Sequence, residues 1–199
     1  MRFGRTLLTI IGATALLGTL VATASATRLS TSSQTIRATF ARVSFTGAFG
    51  TAACALTVEG SFHTRTIAKV ANALTGLITR ATLGACAQGS ATILTASLPW
   101  HTRYQSFAGT LPNITRINAA ATGVQFQIRE PTFGITCLVS GATLIGAFNR
   151  ELGGGLTTTE LGGGGGGAET TCGIEGTLSG TSNSTTVLGA ATRITVSLI

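Results

Sequence analysis

The sequence predicts an all-β protein, an antiparallel β-sandwich or barrel of about ten short strands. Three observations carry this prediction: apolar and polar residues alternate in several runs, Gly, Pro and Asn separate the runs, and Thr is abundant. Only 10% of the 199 residues are charged, against about 25% in an average soluble domain. This excludes a coiled coil, a typical helical bundle and a long charged disordered tail, which all need more charged residues.

The N-terminus has the three parts of a secretory signal peptide. Two arginines lie within the first five residues, an apolar run follows at 6–21, and small residues occupy 22–26. The apolar run has about 16 residues, fewer than the roughly 20 that a membrane-spanning helix needs. We therefore expect residues 1–26 to be removed on export, leaving 27–199 as a single all-β domain without a transmembrane segment.

Alternation is clearest at 124–129, where Val124, Phe126 and Ile128 alternate with polar side chains. Successive side chains of a strand point to opposite faces, so such a run makes one apolar and one polar face. Thr and Val suit this setting because β-branched side chains lose rotamer freedom in helices. Similar runs predict strands at 39–45, 56–62, 77–83, 91–98, 114–117, 124–129, 135–139 and 193–198.

The segment 65–74 fits two interpretations. Its apolar residues, such as Ile67, Val70 and Leu74, follow helical spacing, which predicts one short helix near 65–74. Threonines beside these residues favour a strand instead, because Thr packs well on a pleated surface. The sequence leaves both interpretations open.

Residues 153–167 are rich in glycine. A dinucleotide-binding turn would need a strand before the glycines, a helix after them and an acidic residue further on. No helical pattern follows, and no lysine follows Lys69, so a phosphate-binding loop of the lysine type is excluded. We expect a flexible Gly-rich loop at 153–167 and no cofactor.

The mature chain has four cysteines, and an even number in an exported protein predicts two disulfides. We expect the pairs Cys54–Cys86 and Cys137–Cys172, because neighbours in sequence then close two loops, each within one half of the chain. In the chain-entropy model each such loop contributes roughly 3–4 kcal/mol. Two other connectivities remain open. No metal site is expected, because the short ligand spacing of structural zinc sites is absent.

Positive charge is concentrated in the first part of the mature chain. Residues 27–129 contain nine Arg or Lys and a single acid, Glu59, whereas 130–199 contain two Arg and five Glu. If the cations share a face, anionic or polysaccharide polymers of a cell envelope are the expected partners. The cations are spread singly and have no aromatic residues interleaved with them, which argues against nucleic acid and for a dispersed, solvated surface.

The most distinctive segment lies between Leu98 and Phe107. Within five residues it contains the only tryptophan, the only tyrosine, one of two histidines and an arginine. Such side chains offer contact area with polar groups, so the segment predicts a binding patch. The alternative is that the two large aromatic side chains anchor the core. The four candidate residues are Trp100, His101, Arg103 and Tyr104.

No catalytic motif is present. The chain has no Asp, only His63 and His101, and no G-x-S-x-G motif, so a Ser-His-acid triad would need Glu as its third member. We therefore expect a secreted non-catalytic cell-envelope or extracellular protein, structural or polymer-binding. One alternative is a secreted Glu/His-dependent polysaccharide hydrolase, in which two Glu act together. Another is a small outer-membrane β-barrel, although aromatic girdles and long strands are missing.

Several of these features occur together elsewhere. The signal peptide, the four cysteines, the L-P-W-H-x-x-Y block at 98–104, the G-T-L-P at 109–112 and the C-terminal Ile-Thr-Val-Ser-Leu-Ile resemble uncharacterised exported proteins of actinobacteria. The resemblance covers most of the mature chain and implies secretion and an all-β fold. That group has no established activity, so the resemblance assigns no site residue.

Overall fold

The chain folds almost entirely into antiparallel β-strands, which confirms the predicted all-β class. The computed structural model describes residues 28–47, 50–110, 113–129, 133–150, 156–162, 169–170 and 177–199. In these ranges the one helical element is a 3-10 turn at Thr95–Ser97. The predicted signal peptide at 1–26 lies outside the described residues.

The strands follow one another with short connections. In chain order they are β1 (Arg28–Thr31), β2 (Thr35–Gly47), β3 (Gly50–Phe62), β4 (Thr66–Ala68), β5 (Leu74–Gln88), β6 (Ser90–Ile93), β7 (Trp100–Thr110), β8 (Asn113–Arg129), β9 (Thr136–Arg150), β10 (Leu156–Gly162), β11 (Glu169–Thr170), β12 (Thr177–Thr186) and β13 (Val196–Leu198).

Eight strands of the larger sheet have a paired neighbour on both sides. The antiparallel pairs run β2–β3, β3–β5, β5–β7, β7–β8, β8–β9, β9–β10 and β10–β12, and β12 pairs again with β2. The short strands β6 and β11 pair with β8 and β9. A separate sheet has the order β13-β1-β4. The additional pairing of β8 with β9 links the two ends of the order of the eight strands.

Apolar and polar side chains alternate along the strands, and the apolar ones form the core. On β3, Leu56 and Val58 are buried, whereas Thr57 and Glu59 between and beside them point outward. The main core cluster gathers the inward residues of six strands: Ala38, Phe40, Val43, Ala52, Leu56, Val58, Ile78, Ala81, Trp100, Ala121, Val124, Phe126, Ile128 and Val139. A second cluster joins the small sheet to the eight strands, and consists of Leu29, Tyr104, Ile194 and Val196.

The strands are longer than predicted. The expected separate strands at 114–117 and 124–129 are parts of the 17-residue β8, and the expected strand at 77–83 is part of the 15-residue β5. In β8 a register shift lies between Ala121 and Val124, where Gly123 has a φ of 82°. Glycine adopts this conformation readily, so it forms a bulge within the strand instead of ending it.

Of the two interpretations of 65–74, the helix does not form and part of the segment is a strand. Thr66–Ala68 form β4, which pairs with β1 of the small sheet. Asn72 has a φ of 64°, in the left-handed region, which interrupts any right-handed helix. Leu74 then begins β5. The segment thus leads the chain from the small sheet to the eight paired strands.

The Gly-rich segment at 153–167 is not a loop throughout. Its central residues form β10, Leu156–Gly162, which pairs with β9 on one side and with β12 on the other. Three consecutive threonines in this strand explain its extended form, because β-branched residues favour strands. Residues 153–155 and 163–167 lie outside the described residues.

A disulfide links Cys54 of β3 to Cys86 of β5, which confirms the first predicted pair. The two residues are opposite each other in the antiparallel ladder. Cys137 is disulfide-bonded as well, and its predicted partner, Cys172, lies outside the described residues. The Cys54–Cys86 bond therefore covalently joins two neighbouring strands of the eight.

Two glycines permit the close approach of β3 and β5. A Cβ on Gly60 would lie 2.1 Å from the carbonyl oxygen of Leu77, and a Cβ on Gly76 would lie 2.2 Å from that of Ser61. Real Cβ atoms do not come this near to backbone oxygens, so a side chain at either position must push the strands apart.

We expect Gly60→Ala to lower the free energy of unfolding by about 1–3 kcal/mol, because the added methyl group overpacks the strand contact. Gly84→Ala is the control on the same strand pair, since its Cβ would meet only the Cβ of Ala55, at 3.1 Å, and the oxygen of that residue, at 3.9 Å. Urea denaturation measures both variants. Equal effects of the two substitutions would contradict the steric explanation.

Candidate functional site

The predicted binding patch is divided between the two faces of β7. Trp100 and Tyr104 point inward, with 1% and 4% of their surface exposed, whereas His101 is exposed and Arg103 is half-buried. Because residues an even number apart share a face of a strand, the two aromatic side chains lie in the core. Trp100 and Tyr104 are therefore core residues, and the four candidate residues do not form one surface.

The indole group of Trp100 has its polar atom satisfied within the protein. Its Nε1 donates to Oγ of Ser97 at 2.9 Å, and that hydroxyl donates to the carbonyl oxygen of Leu94 at 2.7 Å. Both partners belong to the 3-10 turn before β7 and its flank. The turn thus fixes Trp100 against the main core cluster.

The outward residues of β7 hold the turn at Asn72, between β4 and β5, in place. Arg103 Nη1 donates to the carbonyl oxygen of Asn72 at 3.0 Å, and Gln105 Nε2 donates to Oδ1 of the same residue at 3.1 Å. The backbone nitrogen of Asn72 also donates to the carbonyl oxygen of Tyr104 at 2.7 Å. Arg103 is therefore hydrogen-bonded within the protein. Of the four residues of the predicted patch, His101 is the one that is exposed.

Among the described residues, two apolar cavities that are partly open to solvent bear on the site. The first, of about 40 Å³, is lined by residues of the main core cluster, among them Trp100, Phe126 and Ile128. The second, of about 70 Å³, lies between the small sheet and the eight paired strands, and Leu29 and Tyr104 line it. We call the second one the end cavity.

Burial raises the pKa of Tyr104 above its usual value, because the charged phenolate loses its hydration there. The ring packs in the second cluster with Leu29, Ile194 and Val196. The phenol is therefore neutral at ordinary pH and is able to donate a hydrogen bond.

An ion-paired row crosses the outer face of β2, β3 and β5. Arg37, Glu59 and Arg80 are opposite one another in the two ladders. Both Nε and Nη2 of Arg37 donate to Oε1 of Glu59, at 2.8 and 2.5 Å, and Arg80 Nη1 lies 3.7 Å from Oε2. The Arg80 side chain is 71% exposed, whereas that of Glu59 is 12% exposed. Two cations thus share one partly covered carboxylate.

Other outward residues of the same three strands are uncharged or positive. Thr39, Thr57 and Thr82 form a neighbouring row in register, and Arg42 of β2 is exposed, its Nε donating to Ser44 Oγ at 3.1 Å. We call the outward side chains of β2, β3 and β5 the arginine face. It carries three arginines against one glutamate among its described residues.

In the described part of the chain, the structure does not bring together the glutamate and histidine side chains that a Glu/His hydrolase needs. Glu59 is the one glutamate whose side chain is described, and both of its oxygens face arginines. His63 and His101 are exposed on different strands or loops. In the same part of the chain, no group of three His, Cys, Asp or Glu residues is placed to hold a metal ion. The side chains of the other five glutamates are not among the described ones.

Comparison with family models, with curated proteins and with solved structures finds no match for this chain. No helix in the described ranges has the length and apolar character needed to cross a membrane. The structure itself defines the class: an antiparallel all-β protein with a disulfide between neighbouring strands, a net positive outer face and an apolar interior.

Proposed function

We propose that this is an exported, non-catalytic protein of the cell envelope or the extracellular space that binds an anionic polymer through the arginine face. The observation that carries the proposal is the row Arg37–Glu59–Arg80, in which one carboxylate faces two guanidinium groups. The row therefore keeps a net positive charge, and the Arg80 side chain, which is 71% exposed, is accessible to a ligand.

Export is supported by the N-terminal sequence and by the disulfides. Cys54 is bonded to Cys86, and Cys137 is also disulfide-bonded. Such bonds persist in oxidising compartments and are rare in the reducing cytosol.

The chemistry of the arginine face suits carboxylate or phosphate groups on a polymer. A guanidinium offers a planar fork of donors that matches either anion. The neighbouring row of Thr39, Thr57 and Thr82 offers hydroxyl groups, which both donate and accept hydrogen bonds. Each contact is weak, so binding is expected to require several repeats of the polymer at once.

The test uses the mature chain with polygalacturonate, with polyphosphate and with neutral dextran, followed by sedimentation at low and high salt. We expect binding to the two anionic polymers that weakens with salt, because exposed charges are screened. Arg80→Gln is expected to weaken binding roughly two- to fivefold, the equivalent of one exposed ion pair. Glu59→Gln is expected to strengthen it, because it removes the only described negative charge of the face.

Arg28→Gln is the matched control. It removes the same charge from β1 of the small sheet, which is not part of the arginine face, and is expected to change binding less than Arg80→Gln does. The proposal is rejected if dextran binds as well as the anionic polymers, if salt has no effect, or if the two arginine variants behave alike.

A further inference from the structure

The end cavity is partly open to solvent and is lined mainly by apolar side chains from two separate parts of the fold. Leu29, Ile67 and Val196 contribute from the small sheet, and Ile117 and Tyr104 contribute from the eight paired strands. Its volume is about 70 Å³. A space of this size has room for a small molecule, whereas natural interiors rarely keep voids larger than a water molecule.

Most polar groups that line the end cavity already have partners in the protein. Thr31 Oγ1 donates to the carbonyl oxygen of Arg65 at 3.2 Å. Thr75 Oγ1 donates to the carbonyl oxygen of Thr102 at 3.0 Å and lies 3.1 Å from the hydroxyl of the same residue. Thr185 also has a partner. These side chains therefore have their hydrogen bonding met without a ligand.

The hydroxyl of Tyr104 differs from them. Burial is the sole cause that raises its pKa, and no hydrogen bond within the described part of the chain ends on this hydroxyl. Every fully buried side-chain nitrogen or oxygen of that part has a partner. The Tyr104 hydroxyl is therefore not sealed within protein, and the side chain that carries it lines the end cavity.

We propose that the end cavity binds a small uncharged apolar molecule with one hydrogen-bonding oxygen, such as a short-chain alcohol, which bonds to the Tyr104 hydroxyl. A phenol without a partner in an apolar space leaves a hydrogen bond unmade, which is unfavourable. A water molecule is a poor occupant, because ordered water needs two to four polar partners and the other hydroxyl groups bond to the protein.

The size of the cavity limits the ligand. An engineered apolar cavity of about 150 Å³ binds benzene, and the end cavity has about half that volume. The ligand is therefore smaller than benzene, and the alkyl part of propanol is of a suitable size. So few atoms give modest affinity, with a Kd of about millimolar order.

The experiment titrates the mature chain with 1-propanol and, separately, with xenon, which fills apolar space but makes no hydrogen bond. Tyr104 is the only tyrosine, so ring-labelled tyrosine gives NMR signals from this residue alone. The methyl groups of Ile67 and Ile117 report on the same cavity in every variant. We expect saturable shifts of all three residues with 1-propanol, and of the two isoleucines with xenon.

Tyr104→Phe removes the hydroxyl and keeps the ring. It is expected to raise the Kd for 1-propanol about two- to tenfold, the range of one ordinary hydrogen bond, and to leave the Kd for xenon unchanged. Ala119→Leu, opposite Tyr104 on β8, is expected to fill the end cavity and to abolish the binding of both 1-propanol and xenon. Ala91 lines the first cavity, so Ala91→Leu is expected to leave the binding of both molecules at the end cavity intact.

The proposal is overturned if the shifts with 1-propanol do not saturate, or if Tyr104→Phe binds 1-propanol as well as the unchanged protein does. If Ala119→Leu fails to fold, the comparison of 1-propanol with xenon on Tyr104→Phe decides. Polymer binding at the arginine face involves none of these residues, so either proposal is able to fail while the other stands.

Discussion

Trp100→Ala is expected to lower the free energy of unfolding by about 3–5 kcal/mol, as truncations of large core aromatics do. The indole ring is 1% exposed and packs in the main core cluster. It also lines the first cavity, so its removal enlarges a space that already exists. The hydroxyl of Ser97 loses its donor as well, which adds the cost of an unmade hydrogen bond.

His101→Ala is the matched control, because the next residue of the same strand points outward and is exposed. A change of at most about 0.5 kcal/mol is expected for it. Urea denaturation is followed by far-ultraviolet circular dichroism, since Trp100 is the only tryptophan and its variant lacks the fluorescent reporter. A loss below about 1 kcal/mol for Trp100→Ala would show that the indole ring is not a core anchor.

The alternation of side chains along a strand could have shown, from the sequence, that the four residues of this segment do not share one surface. Trp100 and Tyr104 are four residues apart, so a strand places both on one face, with His101 and Arg103 on the other. The chemical variety of the segment suggested a common surface, but no strand can present all four. The sequence did contain this answer, whereas the division of the two aromatic rings between two core clusters depends on the fold.

Glycine explains why strand lengths were underestimated. Reading Gly as a break divides β5 and β8, yet Gly76 and Gly123 lie within these strands. Whether a glycine ends a strand depends on what lies opposite it. At Gly76 the carbonyl oxygen of Ser61 on β3 approaches too closely for any side chain, and this neighbour is known only once the strands are paired.

The candidate sites could not be predicted from the sequence for the same reason. Arg37, Glu59 and Arg80 are separated by some twenty residues each, and only the register of three strands places them in one row. The end cavity depends on the small sheet, in which Arg28–Thr31 pairs with Val196–Leu198 near the other end of the chain. Alternation predicts which face of a strand is apolar, but not which distant strand covers it.

The double variant Cys54→Ala/Cys86→Ala is expected to lose roughly 3–4 kcal/mol of unfolding free energy. The bond closes a loop whose ends are 32 residues apart in sequence, and in the chain-entropy model the lost cross-link frees the unfolded chain by about that amount. Both residues are paired directly across β3 and β5, so alanine fits the folded ladder without added bulk. The folded structure should therefore change little.

The slope of the urea transition separates this explanation from damage to the core. Without the cross-link the unfolded chain expands and exposes more surface, so the m-value of the double variant should rise. Cys54 is buried, with 3% of its surface exposed, and the loss of its sulfur alone would lower stability at an unchanged m-value. Ala53→Gly, at the adjacent buried position, serves as the comparison for a small truncation in the same strand, and should leave the m-value unchanged. An unchanged m-value in the double variant, or a loss no greater than that of Ala53→Gly, would contradict the entropic role of the Cys54–Cys86 bond.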